Sequence, residues 1–326
     1  MIHRLDRIQQ RHRSLGFVIA VIYKYLDDQG GYLAALIAYY AFLSLFPLLL
    51  LLTTVTGVVL AGHPALQADV LNSALHQFPV IGDQLGHPKR LSGGMGGVIV
   101  GVIGALYGAS GVGQASQNAM DTVWAIPRNN RPDPLRSRLR SFGLIVVLGA
   151  VLLATTAITA VVAHANRFGV AATVGAAILT IAIDTGVFAI GFRVGTAREL
   201  TFRQVLPGAA LMALIWQILQ NFGSVYVAHV VKSASNTNSV FAVVLGLLGF
   251  LYISAIAVVL CAEINVVADA KLHPRALLTP FTDNVTLTGA DRRTYSGQAK
   301  AQRAKGFEDI DVDFHQPGHK VDDEPS

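Results

Sequence analysis

Cysteine is almost absent: Cys261 is the one such residue in 326, so no disulfide within the chain holds this fold together. It stands in an apolar run and reads as a small buried hydrophobe. Charge is scarce as well. Asp, Glu, Lys and Arg make up 14% of the residues, against about a quarter in an ordinary soluble domain. Motifs for nucleotide or metal chemistry are missing. There is no G-x-x-x-x-G-K-[ST], no H-E-x-x-H, no G-x-S-x-G and no pair of Cys ligands. This argues against ATP-driven work by the chain alone and against a motif-built hydrolytic site, and no cofactor is expected. No cleavable leader is expected either. Arg4, Arg7, Arg11, Arg13 and Lys24 occupy the first 30 residues without a compact apolar run and a small-residue cleavage site.

What is present is apolar and unevenly distributed. Hydrophobic residues form 52% of the chain and the mean hydropathy is +0.50. Six stretches approach the roughly 20 residues that a spanning helix needs: 32–61, 97–118, 142–163, 171–192, 202–222 and 240–262. The fold class expected is therefore all-α, a polytopic membrane bundle of six transmembrane helices over residues 31–270. Lys and Arg number five before the first span, five after the second, three after the fourth and eight after the sixth. The other three loops hold two, one and one. Basic loops stay in the cytoplasm, so both termini are expected there, in the cell membrane. The same rule accounts for the net charge of +5 without nucleic acid.

Residues 1–30 read as an amphipathic helix on the cytoplasmic surface, because Leu5, Ile8, Leu15, Ile19, Ile22 and Leu26 recur at near-helical spacing. Residues 62–93 form the one sizeable outer loop, with Pro64–His76 a candidate surface helix. Residues 271–326 are polar and read as a disordered cytoplasmic tail. Five histidines, His63, His76, His87, His164 and His229, fall on the outer side. Their spacing matches no compact ligand motif, so no metal is expected.

Asp184 is the sharpest single feature. It lies inside the fourth span, where a carboxylate costs about 2.5–3.5 kcal/mol on insertion scales. Arg193 is nine positions on and points to the opposite face. Asp184 therefore serves a substrate or proton pathway, or makes an interhelical hydrogen bond. The second span ends in a polar stripe of Gln114, Gln117 and Asp121 with Asn118 beside it, after small residues at Gly97, Gly101, Gly104 and Gly108. That pattern suits tight packing with polar glue, within the bundle or in a homo-oligomer, or a cavity lining open to the cytoplasm. Gln217 and Asn221 make a similar stripe on the fifth span. Glu263 and Asn265 close the sixth, where a carboxylate can reach headgroups or a loop arginine. Tyr39, Tyr40 and Ser44 in the first span need partners for their hydroxyls in lipid.

These residues resemble a known family. Ala38–Leu50 (AYYAFLSLFPLLL), Gly108–Pro127 (GASGVGQASQNAMDTVWAIP), Leu206–Ala209 (LPGA) and Leu251–Asn265 (LYISAIAVVLCAEIN) are similar to stretches of the YihY/BrkB membrane proteins. The resemblance covers about residues 20 to 270. Ser239-Val240 stands where such proteins often have Tyr-Gly. The resemblance implies a six-helix bacterial plasma-membrane protein. It leaves activity open: members have carried ribonuclease and virulence labels, and envelope lipid or glycolipid transport has been suggested. Residues and resemblance together point first to a transporter or flippase-like protein for an amphipathic envelope component, with membrane lipids as partners. A non-catalytic envelope scaffold is the second reading. Ribonuclease activity is disfavoured, since Arg131, Arg136, Arg138 and Arg140 have no grouped His or Asp ligands beside them.

Overall fold

The computed structural model describes residues 12–59, 94–133, 136–141, 170–233 and 236–315, together with 6, 9 and 143. All regular structure among them is helical. Helix α1 is Arg13–Asp27, α2 Gly30–Val59, α3 Gly94–Val123, α4 Val170–Gly195, α5 Phe202–Ser233, α6 Asn236–Asp269 and α7 Gly289–Ala301. Within the described residues three stretches are long and apolar enough to cross a membrane: Ala177–Gly195, Phe202–Asn221 and Val244–Asp269. Gly30–Leu45 of α2 is a shorter apolar run. Phe142–Ala163, the outer loop 62–93 and His63, His76, His87 and His164 lie outside the described residues, apart from Gly143.

The outward faces of these helices are apolar. Ile103, Tyr107, Ile178, Ile218, Phe241 and Leu245 are all more than half exposed. In water such a surface would aggregate, and a bilayer is its natural solvent.

Glycine sets the closest helix contacts. A Cβ added at Gly108 would sit 2.4 Å from Ser44 Cβ, and one at Gly111 would sit 2.2 Å from the Tyr40 ring. The glycine run of α3 is thus the face that lets α2 approach. Between α5 and α6 the same device is tighter. A Cβ on Gly208 would lie 2.0 Å from the Cys261 carbonyl oxygen. Pro207 has no N–H to give, and the next amide, that of Gly208, donates to Asn265 Oδ1 at 2.7 Å. The LPGA stretch and the Glu-x-Asn ending are therefore one packing unit. Helix α3 stops where Ala125 takes φ +50°, with Ile126 N–H donating to the Asp121 carbonyl at 2.8 Å and Ala125 N–H to that of Thr122 at 2.9 Å. This is a Schellman closure with alanine at the left-handed position.

The tail corrects the sequence expectation. Through residue 315 it is folded rather than disordered. Arg275 is fully buried, paired with Asp27 of α1 and, at 2.8 Å, with Asp291 of α7, and its guanidinium lies between the Tyr23 and Tyr295 rings. Thr288 and Asp291 form a capping box that starts α7. Gln298 donates to Asp28 Oδ1 at 2.8 Å, and Asn129 N–H to the Arg303 carbonyl at 3.1 Å. Composition misled because this segment is held by buried polar pairs to distant helices and not by an apolar core of its own.

Three substitutions test this packing by stability in detergent. Gly208→Ala should cost about 1–3 kcal/mol, the range for overpacking a close contact, and lower the melting temperature. Gly249→Ala, where an added Cβ meets nothing within 4 Å, should be neutral or gain up to about 1 kcal/mol from helix propensity. Thr288→Ala should cost about 1 kcal/mol at the α7 cap and speed amide exchange across 289–301. Wild-type exchange already at the unprotected rate there would contradict a folded tail.

Candidate functional site

The polar stripe of α3 faces a cavity of about 350 Å³. Helix α2 supplies Leu36 and Tyr40, α3 supplies Gln114, Ala115, Gln117, Asn118 and Asp121, the following loop supplies Arg131 and Pro132, and the helical stretch 136–141 supplies Ser137. The period of 3.6 puts the α3 side chains on one wall. Gly111, packed on the Tyr40 ring, keeps α2 close enough to form the other.

Within this set the roles divide. Gln117 is buried and structural: its amide donates to the Ser137 carbonyl at 3.1 Å and to Ser141 Oγ at 2.8 Å, and its carbonyl accepts from Ser137 Oγ at 2.9 Å. Asp121 is buried and accepts the Ala197 N–H at 2.7 Å, tying the end of α3 to the α4–α5 link. Gln114 and Asn118 are less engaged. Gln114 donates back to the Ser110 carbonyl at 3.2 Å, and Asn118 accepts from Arg131 Nη1 at 3.0 Å.

Arg131 is the electrostatic centre. Its other bonds run to the Ile126 carbonyl at 3.2 Å and Thr122 Oγ1 at 3.5 Å. Every one of these acceptors is neutral, and among the described residues no carboxylate pairs with it. Burial pushes its guanidinium down from the ordinary value against the pull of Asp121, yet an arginine stays charged at neutral pH. The cavity thus holds a cation without a contacting counter-ion, beside amides, a phenol and the Asp121 carboxylate, which is bonded to the Ala197 N–H. Such a set recognises an anionic, hydrogen-bonding group.

The remaining candidates sit elsewhere. Tyr39 points outward, half exposed, and meets the Tyr40 ring edge-on at 5.3 Å. Ser44 donates back to the Ala41 carbonyl at 2.9 Å and packs on Gly108. Asp184 of α4 is buried and accepts from Gln217 Nε2 of α5 at 2.7 Å, so the interhelical bond exists. Asn221 donates one turn back to the Gln217 carbonyl. This pair is not part of the cavity at Arg131. Arg193 stacks over the Phe202 ring, well away from Asp184 in role.

Glu263 reaches neither a headgroup nor a loop arginine. It is fully buried, with Lys24 Nζ of α1 at 3.5 Å from Oε2. Lys24 also pairs with Asp28 and donates to the Val123 carbonyl at 3.0 Å. Burial pushes its ammonium down, but the Glu263 and Asp28 carboxylates outweigh that and hold it above the ordinary value. Sequence reasoning missed Lys24, Asp28, Arg275 and Asp291. The Thr288-x-x-Asp291 spacing was a readable cap signal. The Lys24–Glu263 and Arg275–Asp27 pairs left none, since their partners lie at opposite ends of the chain. Among the described residues, no three His, Cys, Asp or Glu side chains group as a metal site would require.

Comparison with known proteins places this sequence in a family. A model for "Virulence factor BrkB" matches residues 21–283. The chain is 24% identical over 287 residues to the inner membrane protein YhjD of Escherichia coli (strain K12), covering 82% of this chain and 85% of that one. It is also 24% identical over 287 residues to the putative ribonuclease-like protein YfkH of Bacillus subtilis (strain 168), covering 81% and 98%. No solved structure matches significantly. With the family model spanning most of the chain, an inner-membrane relative and long apolar helices of its own, the chain belongs to the virulence factor BrkB family and is an integral membrane protein.

Proposed function

We propose that this chain is a six-span plasma-membrane protein with cytoplasmic termini that moves an amphipathic envelope component with an anionic headgroup across the bilayer. The observation that carries the proposal is the cavity at Arg131: an arginine without a contacting carboxylate, set beside apolar helix faces that suit lipid. A headgroup pairs with the arginine while its chains stay in the membrane.

Topology is supported from two directions. Basic residues crowd alternate loops. The N-terminal helix and the folded tail touch through Arg275–Asp27 and Gln298–Asp28, which is what an even number of crossings would give. The bond from Ala197 to Asp121 brings the ends of α3 and α4 together, which fits the further span expected between them from sequence. The sequence expectation for that span is 142–163. The exposed apolar stripe of α1, Leu15, Val18, Ile22 and Leu26, supports a helix lying against the membrane surface.

Asp184 is the candidate coupling group. It lies within a span, with an amide as its partner rather than a cation. A scaffold is the second reading, favoured by the internal hydrogen bonds of Gln117, Asp121 and Asp184, which a packing role explains. Neither reading involves catalysis, a cofactor or nucleic acid. The ribonuclease-like wording belongs to the relative that carries it.

Purified protein in liposomes with headgroup-labelled fluorescent lipids and an imposed pH gradient tests the proposal. Wild type should move lipid. Arg131→Gln removes charge-assisted bonds of about 1.5–3 kcal/mol and should slow movement about 10- to 100-fold. Asp184→Asn keeps an acceptor for Gln217 and should abolish only the gradient dependence. Equal, negligible movement by all three proteins would favour the scaffold.

A further inference from the structure

The cavity at Arg131 holds charge of both signs. Arg131 and Asp121 line it together, yet no ion pair joins them. Opposite charges in one small, poorly solvated space offset their burial most readily by touching. Here neutral neighbours hold each of them apart, Arg131 by Ile126, Asn118 and Thr122 and Asp121 by the Ala197 N–H.

Each charge keeps part of its bonding capacity. Three of the Arg131 N–H groups are directed at the Ile126 carbonyl, Asn118 Oδ1 and Thr122 Oγ1, which leaves one on each Nη. Asn118 spends its Oδ1 on this arginine, so the Nδ2 end of its amide remains as a donor. Asn118 is exposed and lines the cavity. Asp121 gives Oδ1 to the Ala197 N–H at 2.7 Å, and among the described residues no donor meets its Oδ2. Asn118 and Asp121 are three positions apart on α3, with Cβ atoms roughly 5–6 Å apart. The cavity therefore has a donor end and an acceptor end about one helical turn from each other.

We propose that this cavity selects a headgroup carrying a phosphate and a primary ammonium on a short linker, the phosphoethanolamine class. The inference rests on the headgroup reading of the Arg131 cavity given above and names the headgroup. The phosphate accepts from the two remaining Arg131 N–H groups and from the Asn118 amide. The ammonium donates to Asp121 Oδ2, and an ethylene linker bridges the gap of one turn. Both protein charges then have a partner of opposite sign. A phosphate with a glycerol in place of the amine leaves Asp121 uncompensated. A quaternary ammonium has no N–H to give it. The volume of about 350 Å³ falls in the ordinary range of small-molecule sites.

Ligand preference tests this. Wild-type protein in detergent is titrated with short-chain phosphatidylethanolamine, phosphatidylcholine and phosphatidylglycerol and with free phosphoethanolamine, and its melting temperature is followed. Phosphatidylethanolamine should bind about tenfold more tightly than either other lipid, the effect of one charge-assisted hydrogen bond. This comparison needs no substitution. Asp121→Asn keeps Oδ1 for the Ala197 N–H and loses the charge, so it should weaken phosphatidylethanolamine about tenfold and strengthen phosphatidylglycerol. Arg131→Gln should weaken all three lipids. A shift with free phosphoethanolamine equal to that with its lipid, lost in Asp121→Asn, supports the site and makes its ligand soluble. Wild-type protein that binds phosphatidylglycerol as tightly as phosphatidylethanolamine overturns the proposal and leaves the anion site standing, as does a preference that survives in Asp121→Asn. Lipid binding unchanged in Arg131→Gln overturns the headgroup reading itself, and this inference with it.

Discussion

The end of the bundle that carries α1 and the tail depends on one buried ammonium. Lys24 Nζ meets Asp28 in its own helix, Glu263 in α6 and the last carbonyl of α3. Burying an ion costs several kcal/mol, and the attraction between partners offsets that only while all are present. Glu263 is fully buried and neither of its oxygens accepts a hydrogen bond, so the lysine is its compensation. The contact to Val123 fixes where α3 ends. From that end hang the Ala125 turn, the Ile126 carbonyl that orients Arg131, and Asp121 with its hold on the α4–α5 link. The cavity is thus shaped by a charge several residues outside it.

A parallel ion cluster serves the tail. Arg275 joins Asp27, next to Asp28 in sequence, to Asp291 at the start of α7. Burial opposes its charge, but the bonds to Asp291 and Asp27 prevail and hold it above the ordinary value. The two clusters together clamp α1, α6 and the tail into one cap. That cap touches the Arg131 loop through Asn129 and Arg303.

Much of the bundle was legible because lipid imposes a simple rule: backbone polar groups must be satisfied within each segment, so long apolar runs become helices. The glycines of α3 and the stripe from Gln114 to Asp121 were readable for a related reason, since a 3.6 period places them on faces before any partner is known. What escaped reading were the partners. Glu263 looked like an interfacial acid because its lysine lies near the other terminus. The tail looked disordered because Arg275 is satisfied by an aspartate 248 residues away. Arg131 was visible as one basic loop residue among several. Only three dimensions single it out, because the acceptors that contact it there are a carbonyl, an amide and a hydroxyl, none of them charged.

Asp184 and Arg131 occupy separate places, one between α4 and α5 and the other between α2 and α3. In a transporter the first would govern coupling and the second recognition. The claim everything else serves is that a lipid headgroup enters the cavity at Arg131. Photo-crosslinking in native membranes, using phospholipids with a photoreactive headgroup and mapping adducts by mass spectrometry, addresses it directly. The account predicts adducts on Leu36, Tyr40, Ala115 and Asn118 that diminish in Arg131→Gln. Adducts confined to the outward residues Ile103, Leu106 and Tyr107, equal in both proteins, would contradict it.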